Sequence, residues 1–469
     1  MASQVHVLGA GLAGLSAAQD IARAGTKIKV IELEPHVGGL ASSFDLGDGF
    51  IVDLGPHRFH STNQDILSHM EDALEGNFHF RDRLSRIFMM KRFFDYPLKA
   101  TNVLKNLPVS VLLKAMYDYI AVRIKDRFHP IPDSCFENYI VKRFGRTLYE
   151  AFFGTYTEKA WGIPCTQISA DWASQRITLL NLWDTVKKTL FKPKNVPRTL
   201  VSRFRYPKTG GIVSIAQGYA KHIAEHGGEV LTGAEVIEIK RDGMTVTSIA
   251  YRRGDRVITE PVEQVLSTIP ITLLVTLLKP EPPKEILDAA RALRHKAIVF
   301  VYLKLNRDKV TDDHWVYLPE KHLTVHRISE FKNFSEHTCP PGKTLVCAEI
   351  TCTYEDRLWQ MDERGLIDIA SKDLETVGLI KAAEVFGGNV RRVRYAYPIY
   401  DLTYRDNLEK IIRYVRAHTN MDTTGRQGLF RYNNMDHSIA MGMKIARTQI
   451  ARQSGDDHAR VATGSEYFG

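Results

Sequence analysis

The sequence is poor in cysteine, and its five cysteines form no pattern typical of a structural site. None belongs to a CxxC pair, and none stands at zinc-finger spacing from histidines. Disulfide scaffolds and structural zinc sites depend on such spacings, so neither is expected, and no metal site is predicted. An odd number of unpaired cysteines is instead typical of a reducing compartment.

Long apolar runs are absent as well. No stretch approaches the roughly 18 apolar residues of a membrane-spanning helix, so no transmembrane segment is predicted. The first residues, MASQVHVLGAG, lack the basic and apolar regions of a secretory signal. Together with the cysteine content, these absences predict a cytoplasmic protein.

The chain has ample apolar material and a surplus of positive charge. Of its 469 residues, 44% are hydrophobic and 25% are charged, which is typical of a folded globular protein. The formal net charge is +9, and the segment from Lys187 to Lys208 contains eight lysine and arginine residues and no acid. No nucleic-acid-reading module is present, so three interpretations of this run stay open: a phosphorylated small molecule, a peripheral membrane contact, or a solvated loop.

The first 55 residues predict a strand, a helix and a second strand, with a glycine motif at the first junction. Such a βαβ unit is typical of dinucleotide binding, because the glycines permit a tight turn, close approach of a pyrophosphate and helix packing. Amides at the helix N-terminus then face the phosphates. A carboxylate that ends the second strand accepts hydrogen bonds from ribose hydroxyls. The residues predicted for these tasks are Gly9, Gly11, Gly14, Leu12, Ala13 and Glu32.

A second glycine motif follows the acid at Glu32. The segment ELEPHVGGLASSF places Gly38, Gly39 and Leu40 after that strand, and it resembles the second motif of FAD-binding flavoproteins more than a nicotinamide dehydrogenase. We therefore expect non-covalently bound FAD as the cofactor.

From here on, the chain resembles the FAD-containing superfamily of amine oxidases, protoporphyrinogen oxidase and UDP-galactopyranose mutase. GPHRFHSTN from Gly55 resembles the GxHxFHT segment of the mutase family, and TYTEKAWG from Thr155 resembles its YTEKxWG segment. HRISEFKNF from His326, a Tyr-Pro pair at Tyr397 and GRQGLFRYNNMDHSI from Gly425 follow in the mutase order. The resemblance covers most of the chain.

The resemblance implies a set of site residues. It implies flavin-side catalytic histidines at His57 and His60, and a flavin-covering segment with Arg426, Asn434 and Met435 before the last helix. On the substrate side it implies contacts from Tyr156, Trp161, Arg327, Tyr397 and Tyr432.

Two substrate-side positions depart from the family pattern. The second diphosphate arginine of the family aligns with Leu180, which leaves Arg176 as the nearest guanidinium. The family's YYD is Tyr432, Asn433 and Asn434 in this chain. The sugar or the reaction is therefore more readily expected to differ from that of the mutase family than the cofactor is.

Simpler roles stay open for several of these side chains. Aromatic residues at helical spacing, such as Tyr156 and Trp161, usually lie in a core. Arg327 either faces a cleft or pairs with a carboxylate such as Glu330 on the sheet. Lys159 is predicted to form a solvated salt bridge with a neighbouring acid.

The predicted fold is α/β, with a Rossmann-type FAD-binding domain, a helical insertion and a mixed or antiparallel substrate sheet. The FAD-binding domain is predicted at 1–78, 205–245 and 420–469, the helical insertion at 98–204, and the sheet domain at 79–97 and 246–419.

The resemblance favours a mutase acting on a nucleotide-diphosphate sugar, in which reduced flavin N5 assists interconversion of pyranose and furanose rings. An oxidoreductase of the amine oxidase or protoporphyrinogen oxidase type is the alternative, and a non-catalytic FAD-binding scaffold is a third. A homo-oligomer is left open.

Overall fold

The computed structural model describes residues 4–98, 100–176 and 203–453. Leu180 and most of the basic run lie outside the described residues, and of that run only Arg203, Arg205 and Lys208 are described. The side chain of Arg176 also lies outside the description.

Strands precede and follow the helical stretch between Ala100 and Arg176, and they form three larger sheets and two two-stranded sheets. In chain order they are β1 (Gln4–Leu8), β2 (Lys27–Ile31), β3 (Ser43–Asp45), β4 (Ile51–Asp53), β5 (His79–Asp82), β6 (Ser85–Met89), β7 (Arg92–Asp95), β8 (Arg203–Tyr206), β9 (Glu229–Leu231), β10 (Ala234–Asp242), β11 (Thr245–Arg253), β12 (Arg256–Pro261), β13 (Gln264–Ser267), β14 (Leu278–Lys279), β15 (His295–Leu305), β16 (Trp315–Tyr317), β17 (Arg327–Glu330), β18 (Thr344–Cys352), β19 (Val385–Pro398) and β20 (Met421–Thr423).

Helices lie between many of these strands. A π-helical turn at Tyr149–Gly154 joins the helices Arg146–Leu148 and Thr155–Trp161. In chain order they are α1 (Leu12–Arg23), α2 (Gln64–Leu74), α3 (Ala100–Asn106), α4 (Val109–Phe128), α5 (Phe136–Phe144), α6 (Arg146–Leu148), α7 (Thr155–Trp161), α8 (Ala170–Arg176), α9 (Ser214–Glu225), α10 (Ile271–Thr276), α11 (Lys284–Ala292), α12 (Arg357–Gln360), α13 (Glu363–Thr376), α14 (Tyr404–Arg416), α15 (Gly425–Gly428) and α16 (Met435–Gln453).

A five-stranded parallel sheet carries the predicted βαβ unit. Its order is β20-β13-β1-β2-β9, with β1 paired to β13 on one side and β2 on the other. Val5, Val7 and Leu8 are fully buried because helices cover both faces of a parallel sheet. Helix α16 packs on α1 so closely that a Cβ at Gly442 would collide with the Ser16 side chain. The Rossmann-type sheet is thus assembled from both ends of the chain.

A seven-stranded sheet forms the second layer, and its strand β15 is buried along most of its length. Its order is β19-β15-β18-β17-β16-β6-β7, antiparallel except between β16 and β6. Along β15, Ile298, Phe300 and Tyr302 pack into the core shared with the parallel sheet. The alternating residues Ala297, Val299, Val301 and Leu303 pack beneath α13. Burial of both faces therefore requires apolar residues at consecutive positions.

Helices α3 to α8 form the predicted helical segment, and β10, β11, β12 and β14 form a small separate sheet. The predicted α/β fold with a helical insertion and a mixed sheet is confirmed. The domain boundaries stay a prediction; β13, inside the stretch predicted for the substrate domain, lies in the parallel sheet beside β1. In the described ranges, no helix has the length and apolar character needed to cross a lipid bilayer.

Candidate active site

A cleft of about 2250 Å³ lies between the parallel sheet, the seven-stranded sheet and the helical segment. Pockets for a single small molecule usually enclose roughly 300–1,000 Å³. The cleft therefore has room for a dinucleotide and a second ligand. Its lining includes the turn after β1, the end of β2, strand β19 and the N-terminus of α16.

The turn between β1 and α1 forms one end of the cleft. Gly9 has a φ of +101°, a conformation that residues with a Cβ rarely adopt. A Cβ at Gly14 would collide with the Gly9 carbonyl, so this position allows the helix to begin directly beneath the turn. A Cβ at Gly11 would meet no atom within 4 Å and would project into open space. A phosphate group can therefore approach the backbone at Gly11, beside the first amides of α1, which have no acceptor within the helix.

The carboxylate of Glu32 stands at the end of β2, beside this turn. Its Oε2 accepts a hydrogen bond from the Ala10 amide at 2.6 Å, and Oε1 accepts one from the Glu34 amide at 2.9 Å. Burial raises the pKa of Glu32, while the two amide hydrogen bonds act in the opposite direction. The two amides therefore hold this carboxylate in a fixed orientation at the cleft lining.

The second glycine motif packs directly against the first. The Gly38 amide donates to the Ala10 carbonyl at 2.8 Å, and Gly38 has a φ of +111°. A Cβ at Gly39 would lie 3.3 Å from the Gly11 Cα. Both motifs therefore need small residues where two backbone segments touch, and Leu40 follows them into the cleft lining.

The N-terminus of α16 closes the cleft from the other end of the chain. Arg426 donates to the Asn433 carbonyl at 2.6 Å and to the Ala396 carbonyl at 2.9 Å, which ties the loop before α16 to β19. Asn434 and Met435 line the cleft. The positive ends of two long helices, α1 and α16, thus border one cavity, and such ends favour anions.

Two histidines of the GPHRFH segment line the middle of the cleft. Burial, with the nearby guanidinium groups of Arg327 and Arg426, lowers the pKa of His57 to about 4. The imidazole of His57 is therefore neutral near pH 7. His60 also contributes to the lining.

Arg327 faces the cleft and is paired with a carboxylate at the same time. Its Nε and Nη2 each donate to Glu349 at 2.6 Å across the β17–β18 pair. Nη2 also lies 3.5 Å from the Tyr397 hydroxyl. Within the described chain, no protein hydrogen bond occupies Nη1 of Arg327. Arg327 therefore both faces the cleft and pairs with a carboxylate, the two positions that the sequence left open. The carboxylate is the fully buried Glu349 and not Glu330.

An aromatic cluster forms the wall next to Arg327. The ring centroids of Tyr397 and Tyr432 are 4.9 Å apart, and Trp161 packs at 5.6 Å from Tyr397. Trp161 is buried behind the two tyrosines and does not line the cleft; Trp172 does, with its ring 4.7 Å from Tyr432. Tyr156 lines the cleft and packs against Tyr317 at 5.4 Å.

Two parts of the lining were not identified from the sequence. One is an apolar arm from the helical segment and the β6–β7 hairpin, formed by Ile87, Met89, Leu98, Phe136, Phe152 and Phe153. The other is a row of arginines on β19, formed by Arg391, Arg392 and Arg394. The row has a signal in the sequence, RRVRYAYP, because it leads directly into the predicted Tyr397.

Most of the predicted site residues therefore lie around one cavity. Those that line it are Gly9, Gly11, Leu12, Ala13, Glu32, Gly38, Gly39, Leu40, His57, His60, Tyr156, Arg327, Tyr397, Arg426, Tyr432, Asn434 and Met435. Gly14 and Trp161 pack behind the lining.

Curated relatives and solved structures bear on this arrangement. The chain is 25% identical to a probable UDP-galactopyranose mutase of Klebsiella pneumoniae over 181 residues, which is 35% of this chain and 43% of that protein. It is 22% identical to an L-amino-acid oxidase of Bungarus fasciatus over 400 residues, 81% of this chain and 72% of the oxidase. The aligned part thus spans less than half of the mutase.

The solved structure of a reduced UDP-galactopyranose mutase superposes with a TM-score of 0.83 at 20% identity, covering 99% of this chain and 97% of that one. At this identity the likeness shows the fold. The family model described as flavin containing amine oxidoreductase matches residues 12–405. This match spans most of the chain, which therefore belongs to the flavin containing amine oxidoreductase family, with a flavin as its cofactor.

Proposed function

We propose that the flavin is FAD, held without a covalent bond. The donors suit its two phosphates, because the N-termini of α1 and α16 border the same cleft and Gly11 leaves space beside the first. The position of Glu32 in the cleft lining supports this proposal, because a carboxylate at the end of β2 can accept hydrogen bonds from the adenosine ribose. All five cysteines are buried and none lines the cleft, which supports binding without a thioether link.

The reaction proposed for the cleft is ring isomerisation of a nucleotide-diphosphate sugar. The observation that carries this proposal is the guanidinium of Arg327, which is fixed by Glu349 and lines the cleft together with Tyr397 and Tyr432. Planar guanidinium groups and tyrosine hydroxyls are suitable donors to phosphate oxygens. The mutase name of one relative and the mutase-like fold agree with this assignment.

The protein side chains would bind and orient this substrate. Burial, together with Tyr432, raises the pKa of Tyr397 above its ordinary value, so its hydroxyl keeps its proton and donates a hydrogen bond. The neutral imidazole of His57 offers a nitrogen to the flavin edge or the sugar without adding charge. When bound and reduced, the flavin supplies a nucleophilic nitrogen for the anomeric carbon.

A second candidate is an oxidoreductase that removes hydride from its substrate. The L-amino-acid oxidase match covers more of this chain than the mutase match does. The apolar arm around Met89 and Phe152 suits a substrate with a hydrophobic part. Both candidates use the same flavin site and differ in the redox state that begins the reaction.

An anaerobic experiment separates the two candidates. Dithionite-reduced protein is mixed with UDP-galactopyranose and with a panel of other nucleotide sugars, and ring isomers are resolved by chromatography. A mutase forms furanose product only when its flavin is reduced. An oxidase instead loses its flavin absorbance on addition of an amine or amino acid to the oxidised protein. Absence of isomerisation together with such bleaching would replace the mutase proposal by the oxidoreductase.

The phosphate role of Arg327 has its own test. Ligand binding raises the apparent melting temperature by mass action. The Arg327→Ala variant should lose the shift produced by the nucleotide sugar while it retains flavin. Arg291→Ala, which changes an arginine with 71% exposed side chain, is the matched control and should keep the shift. A shift that survives in Arg327→Ala would contradict the assignment.

A further inference from the structure

Helix α4 presents a row of large apolar side chains to solvent. Val109, Leu113, Met116, Tyr117, Ile120, Ile124 and Phe128 are each between 55% and 72% exposed, and Ala115 is the buried residue of this helix. At about 100° of rotation per residue, the seven side chains occupy an arc of about 120° along the whole helix. A continuous exposed apolar stripe of this length is typical of an interaction surface.

The acidic residues of α4 are turned away from this stripe. Asp118 accepts hydrogen bonds from the amide and hydroxyl of Thr147. Asp126 accepts one from the Ile131 amide at 2.8 Å and lies 3.7 Å from the Lys142 ammonium. Both carboxylates are therefore used to attach α4 to the neighbouring helices.

The basic residues of α4 border the stripe instead. At about 100° per residue, Arg123 falls on one side of it and Lys114 and Lys125 on the other, while Arg127 lies within its C-terminal end. All four are exposed. The outward face of α4 thus combines apolar and positively charged side chains and has no acidic one.

We propose that this face of α4 binds the surface of an anionic lipid membrane. A helix that lies in the bilayer interface has one apolar side, which enters the acyl boundary, and lysine or arginine beside it, which reach the lipid headgroups. Anionic headgroups complement the four cations. With 20 residues and about 1.5 Å of rise per residue, the stripe is roughly 30 Å long and lies along the surface without crossing it.

Charge favours a membrane over a second copy of the chain. In a symmetric dimer through α4, the same patch would meet itself, so apolar residues would pair while cations faced cations. The acids that could relieve this repulsion are held on the inner face of the helix. A lipid surface instead supplies negative charge at both borders of the stripe. This inference does not depend on the reaction proposed for the cleft.

Vesicle binding tests the proposal with the full flavin-loaded chain. Co-sedimentation is measured with vesicles of phosphatidylcholine and with vesicles in which roughly a third of the lipid is phosphatidylglycerol. Binding to the anionic vesicles should exceed binding to the neutral ones and should weaken as salt is added. Both Met116→Gln/Ile120→Gln and Arg123→Gln/Lys125→Gln should lower the partition coefficient for anionic vesicles by about tenfold or more.

The matched control changes exposed apolar residues on other surfaces. Val257 and Leu402 are 59% and 55% exposed, so Val257→Gln/Leu402→Gln should bind anionic vesicles as the original chain does. Flavin absorbance and sedimentation velocity are recorded for every variant to verify folding and oligomeric state. The proposal is overturned if the original chain binds no vesicles. It is also overturned if Met116→Gln/Ile120→Gln converts a dimer to a monomer without changing vesicle binding.

Discussion

Replacing Glu349 by glutamine should destabilise the protein, because the fully buried Glu349 neutralises the largely buried guanidinium of Arg327. The two groups form a bidentate ion pair with both distances at 2.6 Å, and the Glu349 side chain is fully buried. Burial disfavours the charge on Arg327, but Glu349 raises the pKa of the guanidinium above its ordinary value. Glutamine would leave the positive charge of Arg327 without its counter-charge. Its amide NH₂ would also face the N–H donors of the guanidinium.

The magnitude follows from the cost of an unpaired buried charge. Removing one partner of a buried ion pair typically costs about 3–5 kcal/mol. If the 469 residues unfold cooperatively, their unfolding entropy is about 1 kcal/mol per kelvin near the midpoint. The melting temperature of Glu349→Gln should therefore fall by roughly 3–5 °C, and by more if a smaller part of the chain unfolds first.

Differential scanning calorimetry at matched flavin occupancy measures this shift. Asp288→Asn is the control, because it makes the same change of carboxylate to amide in an exposed ion pair with Arg291 at 2.9 Å. Exposed pairs contribute about 0–1 kcal/mol, so this variant should melt within about 1 °C of the original chain. The double variant Arg327→Met/Glu349→Leu, which removes both charges, should recover most of the loss. Equal melting temperatures for Glu349→Gln and Asp288→Asn would refute the reasoning.

Three further outcomes are expected. Glu32→Gln should weaken FAD binding about tenfold, as measured by flavin released on ultrafiltration, because one charged acceptor beside the cleft is lost; unchanged retention would argue against the ribose role. Lys159→Met should lower the free energy of unfolding in urea by about 2–4 kcal/mol, since its ammonium donates to three backbone carbonyls at 2.7–3.0 Å; a loss below that of Asp288→Asn would contradict this. Burial lowers the pKa of His314 from the ordinary 6.5 to about 4. Between these two pH values the imidazole is protonated in the unfolded chain but not in the folded one. The free energy of unfolding should therefore fall by about 1–3 kcal/mol as the pH drops from 6.5 to 4. Urea titrations of His314→Gln should show a smaller fall over the same range, and an equal fall would assign the effect to other groups.

The half of the cleft formed by the two glycine motifs could be predicted from the sequence because its determinants are local. Gly9, Gly11 and Gly14 act within a single turn, and the backbone contacts found in the structure are those for which such spacing is required. Glu32 ends the next strand of the same unit, so its place beside the turn follows from the βαβ connection. No distant part of the chain is needed for either inference.

The other half of the cleft, around Arg327, was harder to predict from the sequence because it depends on pairings between distant segments. Glu349 is opposite Arg327 only through the β17–β18 register, and nothing near Arg327 in the sequence identifies that partner. Trp161 was expected in the cleft, but tertiary packing places Trp172 there and leaves Trp161 behind the tyrosines.

The prediction for Lys159 was wrong for a different reason. Its sequence neighbour Glu158 suggested a solvated salt bridge, whereas the described residues place the ammonium among the carbonyls of Leu318, Glu320 and Val325. Backbone carbonyls carry no signature in the sequence, so an ion held by them is not visible in a pattern of charged residues.

The make-up of the parallel sheet has a consequence for biosynthesis. Strand β20 completes the sheet beside β13, and α16 covers α1, so segments far apart in the sequence have to meet before this layer is complete. Until Met421–Thr423 emerge, one edge of β13 lacks its neighbouring strand. Helix α1 lacks the helix that packs on it until Met435–Gln453 follow. The cleft of a nascent chain is therefore incomplete until α16 has been synthesised, and we expect stable flavin binding only after that point.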